Sequence, residues 1–163
     1  MKKLYLLRHA KAALGAVNIK DYDRPLNERG LSDARMMAQR LKSLGATLDL
    51  IVSSPALRAM TTAKIVAEVF DKTVDEVQLD RQIYLAGSPK LMQVVSYFDE
   101  AADSAMLVAH NPALTDLSHV LANSGIDNIP TAGLVSIEIP VDTWLEVGEG
   151  DGKVVAFDFP KSH

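Results

Sequence analysis

Short apolar runs alternate along the chain with segments whose apolar residues recur every three or four positions. Leu4 to Leu7 is apolar without alternation, which predicts a buried strand covered on both faces. The next pattern starts at Leu31-Ser32, with Ser32 as the expected N-cap, and carries Ala34, Met37, Ala38, Leu41 and Leu44 on one face until Gly45. Leu50-Ile51-Val52 reads as a second strand, followed by Ser53-Ser54-Pro55. There Ser54 is the expected cap and Pro55 the first residue of a helix lined by Met60, Ala63, Val66, Ala67 and Phe70. Val77 to Leu79 is a third, short strand. Ser88-Pro89 repeats the cap-and-proline start for a helix buried through Leu91, Val94, Val95 and Phe98. Met106 to Ala109 is a fourth strand, and after His110-Asn111-Pro112 a helix follows through Leu114, Leu117 and Leu121.

This order of strands and helices predicts a parallel sheet with helices packed on it. From Gly133 the period changes: Val135, Ile137 and Ile139 alternate with Ser136 and Glu138, and Val154 to Phe159 is again strand-like beyond a turn cluster at Gly148 to Gly152. These two runs predict an antiparallel addition at the sheet edge. There is no repeat, low-complexity tract or linker, so the expectation is one domain over 1–163.

Composition narrows the function classes. The 163 residues are 48% hydrophobic and 23% charged, which suits an ordered globular chain with a full core. A formal charge of −4 argues against nucleic-acid binding, which needs a broad positive field. Any anion site must be assembled locally. The absence of cysteine excludes disulfides, thiolate zinc sites and cysteine nucleophiles. Charged residues interrupt the first apolar run after four positions, and no later run approaches membrane-spanning length, so a cytoplasmic protein without membrane association is expected.

Three strand-to-helix junctions carry the candidate chemistry: Arg8-His9, Arg58 in the turn after the second strand, and His110. In open α/β sheets ligands gather at the carboxyl ends of the strands, where helix N-termini also favour anions. Each residue alone has an ordinary structural explanation. Together, two arginines and two histidines describe a pocket for a phosphoryl group. A metal site fits less well, because no carboxylate or third histidine has ligand spacing and the arginines repel cations. Ser53 and Ser54 read as turn and cap residues, and neither His119 nor the tail residue His163 is given a role.

The motifs Leu7-Arg8-His9-Ala10-Lys11, Arg24-Pro25-Leu26-Asn27-Glu28-Arg29-Gly30, Ser53-Ser54-Pro55-Ala56-Leu57-Arg58-Ala59 with Thr61-Thr62-Ala63, and Ala109-His110-Asn111-Pro112 occur in this order. In these residues the chain resembles the histidine phosphatase superfamily, also called phosphoglycerate mutase-like, and most closely its small SixA-type branch of phosphohistidine phosphatases. The resemblance spans residues 3 to about 139. It implies a three-layer α/β sandwich with a mainly parallel central sheet and antiparallel strands near the C-terminus. It also implies a metal-independent phosphatase without a cofactor. His9 would be the nucleophile, and Arg8, Arg58 and His110 would hold the phosphoryl oxygens with the Asn111 backbone amide as a further donor. Arg24 is a substrate contact by this resemblance or a turn residue fixed by Pro25, and Lys11 is a field charge, a substrate contact or a solvated side chain.

One feature departs from relatives that cleave phosphoesters. They carry an acid after the third strand, where this chain reads Leu79-Asp80-Arg81-Gln82-Ile83-Tyr84. Asp80 is the nearby carboxylate, and Asp21 and Asp23 are further weak candidates for a proton donor. An alkoxide leaving group needs such an acid, whereas the imidazole of phosphohistidine leaves from a labile P–N bond with less help. The expected substrate is therefore a phosphohistidine-bearing protein. The alternatives are a small phosphorylated substrate, ester or phosphoramidate, and a phosphate-binding module that has lost catalysis.

Overall fold

The computed structural model describes residues 1–162; His163 lies outside them. Six strands form one sheet: β1 (Lys2–Arg8), β2 (Leu50–Ser53), β3 (Val77–Leu79), β4 (Ser104–Ala109), β5 (Leu134–Ile139) and β6 (Lys153–Asp158), in the order β3-β2-β4-β1-β5-β6. Strands β1 to β4 are parallel. β5 runs antiparallel to β1, and β6 antiparallel to β5.

Four α-helices cover the two faces: α1 (Glu28–Ser43), α2 (Leu57–Val69), α3 (Ser88–Ser96) and α4 (Ala113–Ala122). Strand residues alternate between two apolar layers. Leu4, Leu6, Val52 and Leu107 pack with Leu91, Val95, Leu114 and Leu117 of α3 and α4. Tyr5, Leu7, Ile51, Met106 and Val108 pack with Met37, Ala63 and Val66 of α1 and α2. Because both faces are covered, the central strands show no polar alternation, and the three-layer α/β sandwich expected from the sequence is the one observed. No helix among the described residues is long and apolar enough to cross a membrane.

Several boundaries differ from the sequence expectation, each for a local reason. α1 begins at Glu28 rather than at Leu31-Ser32, because the Asn27 side chain caps it by accepting the Gly30 N–H at 2.8 Å. Glycine is a poor helix former, so the pattern hid a first turn that contains one. α2 begins at Leu57 with Ala56 as N-cap, two residues after Pro55, since Ser54 is committed elsewhere. α3 is capped at Gly87, placing Ser88 inside the helix. Leu44, expected on the apolar face of α1, is the exposed C-cap. The antiparallel addition is real, but only β6 is an edge strand; β5 is interior and pairs with β1.

Gly30 is required by a close approach. A Cβ there would lie 2.1 Å from the Lys11 carbonyl oxygen, so the start of α1 rests directly on the segment leaving β1. Gly30→Ala is expected to cost at least the ~1–3 kcal/mol typical of overpacking, read as a melting temperature lowered by several degrees. An unchanged melting temperature would show that this contact relaxes freely.

Candidate active site

The register of the parallel strands builds the site. Arg8 pairs with Ala109 and Ser53 with Val108, so β1, β4 and β2, which are neighbours in the sheet, end at one level. The next residues on the chain, His9, His110 and Ser54, therefore emerge side by side. Two backbone bonds continue the ladder past the strands: His9 N–H donates to Ala109 O at 3.2 Å and Ser54 N–H to Val108 O at 3.0 Å. The His9 and His110 ring centroids are 5.2 Å apart. Arg58, the second residue of α2, joins them from the helix that follows β2. The structure thus brings together Arg8, His9, Arg58 and His110, which come from three separate stretches of the sequence.

Each of the four is held at one or two nitrogens and left open at another. His9 Nδ1 lies 2.8 Å from the Ala10 carbonyl, which can only accept, so Nδ1 carries the proton and Nε2 keeps its lone pair. Arg8 Nη1 donates to Ile129 O at 3.0 Å. Arg58 donates end-on to Asp21, from Nη1 to the backbone oxygen at 2.8 Å and from Nη2 to Oδ2 at 3.1 Å. His110 Nε2 lies 2.7 Å from Ser54 Oγ. What remains is Arg8 Nε, Arg58 Nε and His110 Nδ1, buried and without a hydrogen-bond partner among the described residues.

Unpaired buried polar groups are costly, and three in one cluster are an unmet demand for a ligand. With His9 7% exposed and Arg58 6% exposed, the demand is for an acceptor with several oxygens and negative charge.

The electrostatics keep both rings neutral. Burial pushes the His9 pKa down to about 3; His110, Arg58 and Arg8 add to the effect, against the Ala10 carbonyl, which favours the charged ring. Removal from water is the largest cause, ahead of the neighbouring charges. His110 is pushed down to about 4, by burial first and then by Arg58. A neutral His9 with its proton on Nδ1 is a nucleophile, and a neutral His110 can donate to an oxyanion.

Other residues support the cluster. Thr62 Oγ1 accepts the Ala10 N–H at 3.0 Å and donates to the Arg58 carbonyl at 2.7 Å, tying the exit of β1 to α2. The Asn111 side chain donates to Ile129 O at 2.8 Å, the same carbonyl that grips Arg8. Its oxygen accepts from Thr115 N–H and Oγ1, while the Asn111 backbone N–H donates to no described residue. Arg24 donates to Asp21 Oδ1 at 3.1 Å and Ala13 O at 3.3 Å, and so reaches the cluster only through Asp21. Lys11 is exposed. Among the described residues no three His, Cys, Asp or Glu side chains could share a metal ion.

Of the acid candidates, Asp80 caps the turn at 81–83 by accepting the Gln82 N–H at 2.9 Å, and Arg81 and Gln82 are exposed. The group from this segment that meets the site is Tyr84. Its hydroxyl donates to Asp21 Oδ2 at 2.8 Å, and its ring stands edge-on to His110 at 5.6 Å. Sequence reasoning gave Tyr84, Thr62 and Ser54 no place in the site. The signal for Thr62 was present in the quoted motif, but only contacts distinguish it from an ordinary helix threonine.

Comparison with known proteins agrees with this geometry. The sequence profile of the histidine phosphatase superfamily (branch 1) matches residues 4–83. A Picosynechococcus protein of uncharacterised function is 32% identical over 144 residues, covering 83% of this chain and 84% of its own length. The Escherichia coli phosphohistidine phosphatase SixA is 26% identical over 139 residues, covering 84% of this chain and 73% of its own. Among solved structures, a candidate phosphohistidine phosphatase SixA from Agrobacterium tumefaciens superposes with a TM-score of 0.81 at 27% identity, covering 96% of this chain and 97% of that one. The shared fold, the family profile and these relatives establish that the chain belongs to the histidine phosphatase superfamily, in its SixA-type branch.

Proposed function

We propose that the protein hydrolyses phosphohistidine on a protein substrate through a phosphorylated His9 intermediate. Family membership supports phosphatase activity. The observation that carries the reading is the set of three unpaired buried donors, Arg8 Nε, Arg58 Nε and His110 Nδ1, assembled with a histidine whose Nε2 is free and neutral. Donors fixed in advance around the phosphoryl oxygens act where charge is spread in the transition state, and positioning accounts for most of phosphoryl transfer.

In the first step the Nε2 lone pair of His9 forms a bond to phosphorus as the P–N bond of the substrate breaks. The electron pair of that bond goes to the departing imidazole. His9 is then phosphorylated on Nε2 and protonated on Nδ1, hence positively charged. In the second step the oxygen of a water bonds to phosphorus and the P–Nε2 bond breaks. The pair returns to His9, which is neutral again, and the water's proton passes to solvent.

The proton inventory supports a phosphoramidate over an ester. Asp21 is the carboxylate that contacts the cluster. The Tyr84 hydroxyl bond, Arg58 and Arg24 hold its pKa below the ordinary value, so it is ionised at neutral pH. The Tyr84 pKa is raised, by loss of water contact and by Asp21, so its hydroxyl keeps its proton. Neither is a good acid for an alkoxide. An imidazole protonated on its distal nitrogen leaves as a neutral molecule and needs none.

His9→Ala is expected to abolish turnover of a phosphohistidine protein, and brief incubation of the wild type with phosphoramidate should leave an acid-labile, base-stable phosphoryl group on His9. Wild-type phosphate release by His9→Ala would overturn the mechanism. Parallel assays on a phosphohistidine peptide and on phosphate monoesters should favour the former; rapid monoester turnover would shift the substrate class to small phosphoesters. Because a lowered histidine pKa leaves the ring neutral above it, the rate of adduct formation should not fall between pH 8 and pH 5. A fall centred near the ordinary histidine value, about 6.5, would show an unshifted nucleophile. Asp21→Asn, which weakens the end-on grip on Arg58, should reduce kcat/KM by about tenfold, the scale of a charge-assisted hydrogen bond.

A further inference from the structure

The Ser54 hydroxyl sits in a position that leaves it one chemical choice. Ser54 is fully buried, and its Oγ accepts the Ala56 N–H at 3.2 Å. The other hydrogen-bond partner of Oγ among the described residues is His110 Nε2, at 2.7 Å. Two proton arrangements are available. If His110 carried its proton on Nε2, Oγ would accept twice, and the hydroxyl proton would be buried with no acceptor. Nδ1 would then be a buried lone pair with no proton to give a ligand. If Ser54 donates to Nε2, every proton in the chain has an acceptor except one, the Nδ1–H, which is the buried atom left without a partner.

We infer that Ser54 is a positioning residue which, through the relay Ala56 N–H to Ser54 Oγ–H to His110 Nε2, fixes His110 as the Nδ1–H tautomer and thereby makes it a phosphoryl-oxygen donor. The inference rests on the cluster being a phosphoryl site. It assigns a role to a serine that otherwise looks like a helix cap, although α2 begins three residues further on. The oxygen of the same hydroxyl still accepts the Ala56 N–H in the turn 53–56, so one serine braces the turn with its lone pair and the histidine with its proton. An unpaired ring next to two arginines would otherwise divide between tautomers, and only one of them can hydrogen-bond an oxyanion from Nδ1. The other groups facing the His110 ring are His9, Arg8, Arg58, Asp21 and Tyr84, and none of them bonds to Nε2. Tautomer control therefore falls to Ser54.

Two measurements test this. Nitrogen-15 NMR of the wild-type protein at neutral pH should show His110 protonated on Nδ1 and unprotonated on Nε2; the reverse assignment would overturn the inference whatever the enzyme's activity. Ser54→Ala should lower kcat on a phosphohistidine peptide by about 10–100-fold, the range for loss of a partner that orients an active-site histidine, with the His110 ring nitrogens shifting toward a tautomer mixture. Recovery of the rate in Ser54→Thr, which keeps a hydroxyl, would support the relay. A folded Ser54→Ala protein with wild-type kcat and an unchanged His110 tautomer would overturn it. If Ser54→Ala does not fold, the wild-type spectrum decides alone. Absence of any phosphohistidine turnover by the wild type would instead count against the proposed function, so the two failures are distinguishable.

Discussion

The structure depends on the parallel register between β1 and β4. Arg8 opposite Ala109 is a backbone pairing, set by hydrogen bonds that no active-site side chain contributes. Its consequence is that the chain leaves both strands at one height, so His9 and His110 start as neighbours. A slip of one residue would turn one of the two to the other face of the sheet. β2 pairs on the far side of β4 and ends at the same level, which brings in Ser54 and, at the start of α2, Arg58. The buried side chains of the two core layers hold this register in place, since Leu4 and Leu6 belong to one layer and Tyr5 and Leu7 to the other.

On that scaffold the site solves an electrostatic problem. Two guanidinium groups and two imidazoles are packed together in a protein of net charge −4. Four positive charges there would repel strongly, and burial settles the matter by keeping both rings neutral. Burial and Arg58 also lower the Arg8 pKa, although a guanidinium stays charged. The remaining positive charge is partly balanced by Asp21, which approaches Arg58 from the side away from its free Nε. The Ile129 carbonyl likewise holds Arg8 from one side, Ser54 holds His110 and the Ala10 carbonyl holds His9. Each reactive group is restrained from one side and open on the other, which is preorganisation in its simplest form.

The loop that carries Asp21 is closed by an antiparallel bridge between Ala12 and Leu26 and braced by Arg24. Tyr22 and Tyr84 meet edge-on at 5.0 Å, so the loops that follow β1 and β3 are joined at the carboxyl end of the parallel strands. The segment after β3, where the resemblance led to the expectation of an acid, supplies Tyr84 to this junction. A tyrosine bonded to Asp21 is what this segment brings to the cluster, and the proposed substrate class rests on that pair.

Much of this was legible in the sequence. The apolar runs and helical periods located every strand and α-helix, and Arg8, His9, Arg58 and His110 stood out because each falls at the end of a strand or in the turn after it. Helix starts were less legible: Asn27 caps α1 through the Gly30 N–H, and the glycine in that first turn answers a close approach to the distant Lys11 backbone. The sequence by itself determined which residue types would meet, since hydrophobic period and strand order dictate which loops share one edge of the sheet. Tertiary structure alone decided what each polar atom would bond. Ala10 orients His9, Asp21 grips Arg58, Tyr84 stands where an acid was sought, and Ser54 faces His110 instead of capping α2. The physical reason is range: hydrophobic patterning is written locally along the chain, whereas a hydrogen bond depends on a few tenths of an ångström between residues that only folding brings together.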